Sequence, residues 1–155
     1  FMGSWCLLKI TMFFTSNNLC ISRKAFMSAG GFDCTHFATS AGEDRELCVR
    51  MGSLGFTMQW VGEAQIDHYH AMDAEGFKGL HTKYGRSGWD FHQRVNALNI
   101  DLGKQKNFFN YLIKYPWKKS GYSFRERCRL SYLLFLSQRY GRKGYLEASK
   151  KSKQL

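Results

Sequence analysis

With 155 residues, the chain has room for one ordinary domain and little more. Apolar residues at 44% against 23% charged residues support a packed core and exclude wholesale disorder, and a single proline argues against a proline-rich linker. The net charge of +11 is concentrated: residues 1–113 carry 11 Lys and Arg against 10 Asp and Glu, whereas residues 114–155 carry 12 against 2.

In chain order, residues 5–14 are apolar, β-branched and aromatic, which predicts a strand. A short apolar run at 19–21 follows the polar Thr15, Ser16, Asn17 and Asn18. Ser22 is placed to cap a short helix over 23–29, ended by Gly30 and Gly31. Residues 42–54 carry the clearest helical pattern, with Leu47, Cys48, Met51 and Leu54 on one face and Gly55 as the stop. Phe56, Met58 and Trp60 alternate with Thr57, Gln59 and Val61, a strand pattern, and a further strand is expected over 64–69. Residues 74–94 are glycine-interrupted and predict a helix followed by an ordered loop. Helices are expected over 106–115 and 124–140, divided by Pro116. Strands followed by helices make the expected fold class α/β, a partial mixed sheet with flanking helices, in two parts: a body over 1–113 and a basic helical tail over 114–155.

Cysteines fall at 6, 20, 34, 48 and 128. The even spacing of the first four is not a repeat, because their neighbours differ, and no C-x-x-C pair predicts structural zinc. Without a basic segment ahead of the first apolar run, no signal peptide is read; five cysteines then suggest reduced thiols and a cytoplasmic setting. No apolar run reaches the ~18 residues needed to cross a bilayer. The cationic tail suits an anionic membrane surface, hence a peripheral place at the inner face; nucleic acid is the weaker partner, since no recognised aromatic-basic module is present.

The stretch most informative for chemistry is 18–50. Gly30, Gly31, Phe32 and Asp33 make a turn that glycine permits. Glu43 and Asp44 open the clearest helix, where the helix dipole favours ionised carboxylates. A rigidly held carboxylate can serve as general base toward a hydroxyl, although acidic residues in a first helical turn are also ordinary helix stabilisers.

Taken together, Asn18 to Phe26, the Gly-Gly-Phe-Asp turn at 30–33 and the Gly-Glu-Asp-Arg-Glu-Leu-Cys-Val-Arg run at 42–50 resemble the second half of family 2 glycosyltransferases, including the galactosyltransferase C-terminal region. Glu46 stands where that family usually has a second Asp. Gly55 and Phe56, the segment 61–64, and Asp67, His68, Tyr69 and His70 extend the similarity, which covers roughly residues 10–95. It implies a partial GT-A type sheet and an inverting transfer from a nucleotide-sugar donor to a glycan or lipid-linked acceptor. By that resemblance Asp44 is the catalytic base and Glu43 shapes the acceptor site. Asn18, Gly30, Gly31, Asp33 and Arg45 fall among donor- and acceptor-binding positions, and His68 would ligate a divalent cation, Mn or Mg. Lys83, Arg86 and Trp89, with Tyr84, fall where the family places a loop over the diphosphate. The family's first half ends in a D-x-D motif, and no D-x-D occurs in these 155 residues. The similarity therefore implies a fragment that is inactive alone, binds nucleotide and cation weakly, and associates with a missing N-terminal half or forms a homodimer through residues 1–14.

Overall fold

In the computed structural model, residues 14–37, 41–67, 69, 71–100, 114, 116–118 and 121–154 are described. Among the described residues, a 3-10 turn at Ser16–Asn18 and four helices have both ends defined: α1 (Arg23–Ser28), α2 (Glu43–Ser53), α3 (Ala74–Ala97) and α4 (Phe124–Ser152); Pro116, Trp117 and Lys118 are also helical. Three of the four helices begin at a side-chain cap, and α2 begins after Gly42 in a left-handed conformation. The Ser22 side chain caps α1 and Asp73 caps α3. Ser123 and Glu126 form a reciprocal capping box at α4.

The expected α/β mixed sheet is not there. Among the described residues no strand occurs, and the regular structure is entirely helical. Residues 56–61 and 64–67 run without helical or strand hydrogen bonding. Alternating apolar residues describe an extended chain, but a strand also needs a second segment alongside to share backbone hydrogen bonds, and among the described residues none does. The strand expected over 5–14 and the helix expected over 106–115 lie outside the described residues, Phe14 and the helical Lys114 excepted.

Two further expectations change. Residues 74–94 are not a helix and a loop but one helix of 24 residues, continuous through Gly76, Gly79, Gly85 and Gly88. The helix expected to end at 140 continues to Ser152. One contact explains both. Gly85 of α3 faces the Gly141 carbonyl of α4, and Gly144 faces the Thr82 carbonyl of α3, so closely that a methyl group on either glycine would strike backbone. Glycine weakens an isolated helix by about 1 kcal/mol per site, but here it lets two backbones pack at close range. Trp89 and His92 flank this crossing and pack edge-on against Tyr145, with ring centroids 5.3 and 5.6 Å away.

The core lies on either side of α2. Ala29, Leu47 and Met51, joined by Ile21, Phe26 and Phe56, close one side; Phe37, Val49, Phe91 and Val95 close the other, against α3. Leu54, expected on the apolar face, is exposed, while Val49 is buried. With apolar contacts on both sides, α2 is buried over 46–49 and at Met51, its first-turn residues Glu43, Asp44 and Arg45 are half-buried, and its C-terminal end at Ser53 is exposed.

Candidate functional site

The turn after α1 and the body of α2 are joined by a buried polar clamp. Glu46, fully buried, accepts from Arg50 Nε (2.8 Å) and Nη2 (2.6 Å) across one helical turn. The same guanidinium donates to the carbonyls of Ala29 and Gly31, the latter at 2.8 Å. Gly30 and Gly31 both adopt left-handed φ values, 83° and 69°, which turn the carbonyls of this segment toward Arg50. The Arg50 pKa is raised, first by its bonds to Glu46 and further by the charges of Glu46 and Asp33, against the opposing pull of burial.

Asp33 is the second anchor. Its carboxylate accepts from Thr35 Oγ1 (2.6 Å) and the His36 backbone N–H (3.2 Å), and it pairs with His36 Nδ1 and with Arg94 Nε of α3, each at 2.8 Å. Burial pulls the Asp33 pKa upward, but the hydrogen bonds from Thr35 and His36 and the His36 charge outweigh it and hold the carboxyl well below the usual carboxylate range. Arg94 Nε also lies 3.8 Å from Glu46, so α1, its turn, α2 and α3 meet in one charged network. A buried ion pair of this kind costs desolvation to form, yet removing one partner is more expensive than keeping both.

The face of α2 beyond that clamp carries Glu43 and Asp44. Asp44 Oδ2 accepts from the Ser16 backbone N–H (3.2 Å), which ties the 3-10 turn to the helix start, and Oδ1 accepts from the Arg45 N–H (2.8 Å). Glu43 Oε2 is shielded from solvent and has no hydrogen-bond partner among the described residues. An unpaired buried carboxylate oxygen is costly, so Glu43 is a carboxylate with an acceptor position to fill. Cys48, one turn on, is buried with its thiol aimed at the Phe14 carbonyl (3.8 Å); burial first of all pushes its pKa up, which leaves it an unreactive thiol.

The structure therefore brings Glu43, Asp44 and Arg45 together on one helical turn and sets the glycine turn and Asp33 behind them. Gly31 and Asp33 meet Arg50, Arg94 and His36 rather than an open cleft, so these contacts make them braces for the site. Asn18 is also a brace, its amide donating to the Ala64 carbonyl at 2.6 Å. Lys83, Arg86 and Trp89 are not on a loop; all three stand on α3. Arg86 pairs with Glu147 (2.8 Å) and Trp89 packs on Tyr145, both in α4, because the helix that carries them continues through its glycines. His68 lies outside the described residues. Among the described residues no group of three His, Cys, Asp or Glu side chains is disposed to hold a metal ion, and Asp33 is already committed to Thr35, His36 and Arg94. No step below passes through a divalent cation.

Sequence reading missed Arg94, His36 and Ser16 as members of this site. The four-residue spacing of Glu46 and Arg50 was an available signal for their pairing; nothing local marks Arg94, which reaches Asp33 only through the packing of α3. No protein-family model matches this chain, and no curated protein or solved structure does either.

Proposed function

We propose that Glu43 and Asp44 form the acceptor-activating end of an inverting sugar transferase that uses a nucleotide-sugar donor. The observation that carries this reading is the bracing of that turn. Asp44 is held by the Ser16 N–H on its outer side, while the Glu46–Arg50 clamp behind it immobilises the helix and the glycine turn together. The motif residues that carry the sequence resemblance are the ones joined by these contacts, which supports treating them as a unit. Asp44 accepts the proton of the acceptor hydroxyl as that oxygen bonds to the anomeric carbon. The bond from that carbon to the diphosphate oxygen breaks on the opposite face, with inversion, and the nucleoside diphosphate leaves with the electron pair. Glu43, half-buried beside Asp44 on the same turn, shapes the acceptor site.

The test is turnover in the chain combined with a nucleotide-binding half. Asp44→Asn lowers kcat about 10²- to 10⁴-fold, the range for loss of a general base, with donor affinity unchanged. Glu43→Gln mainly raises the acceptor KM. Near-normal kcat in Asp44→Asn removes this residue from the mechanism.

A further inference from the structure

We propose that the face of α4 turned away from α3 is a docking surface for an anionic lipid membrane. Gly141 and Gly144 seat the opposite face of α4 on α3. On the outward side exposed Tyr132, Phe135, Arg139, Arg142 and Leu146 follow one another at spacings of three and four residues, with exposed Arg125 two turns ahead of Tyr132. Water-facing apolar side chains of this size normally mark a contact surface when they are contiguous and rimmed by charge.

Charge complementarity selects the occupant. Glu126 and Glu147 are the acidic residues of α4, and both are engaged: Glu126 closes the capping box with Ser123, and Glu147 pairs with Arg86 and with Lys143. Arg139 and Arg142 have no ion-pair partner among the described residues. Together with Lys143, Lys150, Leu146 and Glu147, whose carboxylate is taken up by Arg86 and Lys143, they border an open hollow of about 440 Å³ with a surplus of positive charge. At the start of the helix Phe124, 70% exposed, meets Trp117 edge-on at 5.8 Å, and Arg127 lies over the Trp117 ring. Aromatic rings beside arginines suit the boundary between headgroups and acyl chains. A nucleic acid would use the arginines and stack on the aromatics, but it offers nothing to the aliphatic Leu146, which is also exposed. No helix among the described residues is long and apolar enough to cross a membrane, so α4 would lie along the surface.

Co-sedimentation of the 155-residue chain with vesicles of phosphatidylcholine, alone or mixed with phosphatidylserine, tests the proposal. Binding is expected only to the mixed vesicles, weakening as salt rises. Each basic side chain near the surface contributes about a fivefold factor, so Arg139→Gln with Arg142→Gln lowers partition by at least about tenfold. Phe135→Ser with Leu146→Ser lowers it about tenfold as well, through lost apolar burial. All four positions are exposed, and unchanged far-UV circular dichroism separates lost binding from lost fold. Equal binding to neutral vesicles, or wild-type binding by both pairs of variants, overturns the proposal. So does sedimentation equilibrium showing a dimer that Phe135→Ser dissociates, or binding to a single-stranded polynucleotide without binding to vesicles.

Discussion

The two halves of the described structure are held by different physics. Around α2, helices and turns are joined by polar contacts: a fully buried carboxylate, a guanidinium bonded to two carbonyls, and an aspartate hydrogen-bonded to His36 and ion-paired with Arg94. Between α3 and α4 the contact is one of shape, two backbones brought together at Gly85 and Gly144, and the accompanying ion pair of Arg86 and Glu147 is exposed. Exposed pairs of this sort are worth at most about 1 kcal/mol. A hydrogen-bonded network fixes the position of atoms, whereas a glycine crossing fixes the distance between helices and leaves their outer faces free. The polar half is therefore the one that carries a candidate reaction centre, and the glycine half carries a surface.

Substitutions can separate the two modes. The largest stability effect is expected for Arg50→Met, which strands Glu46 as an unpaired buried charge and releases the glycine turn. It costs about 3–5 kcal/mol, measured as a drop in the urea midpoint. Replacing Glu46 with Gln in the same chain should recover part of the loss, and no recovery would mean that the clamp is not electrostatic. Next is Gly144→Ala, whose methyl group strikes the Thr82 backbone. Overpacking costs about 1–3 kcal/mol, and here the helices must separate, so near-UV circular dichroism from Trp89 should change while helix content stays nearly constant. An unchanged melting temperature would refute the close crossing.

A smaller effect, with a pH signature, is expected at Asp33. Its folded-state pKa is depressed, so its contribution is fully present above the unfolded value of about 3.9 and is lost as pH falls from there through the folded value. Asp33→Asn should cost about 1–3 kcal/mol at neutral pH, and the gap from wild type should close with acidification below about pH 4. A gap constant with pH would place the loss in packing alone. The smallest effect belongs to the other half. Burial lowers the pKa of His81 and His92, so below about pH 6.5 the unfolded chain holds more protons than the folded one. Stability is thus complete above that pH and declines as pH falls. His92→Phe, which removes the 3.1 Å contact with the Tyr145 hydroxyl, should cost about 1 kcal/mol near pH 7.5 and should flatten the decline toward pH 5.5.

Local chemistry in the sequence was enough for the helix over 42–54, the short helix after Ser22 and the turn at Gly30 and Gly31, because caps, periodicity and glycine act within a few residues. The same local information placed Glu43 and Asp44 in one helical turn before any packing was known. Tertiary structure alone decided the rest. Segment 56–61 alternates like a strand, but pairing depends on a neighbouring backbone, and none of the described residues pairs with it. The glycines of 74–94 predicted a loop by their weak helix propensity, yet contact with α4 stabilises the helix more than they weaken it and turns Gly85 into the point of closest approach. Lys83, Arg86 and Trp89 consequently belong to a helix instead of a loop over the site. Arg94 reaches Asp33 from far along the chain, a contact that no local pattern encodes, because it depends on how α3 lies across α2.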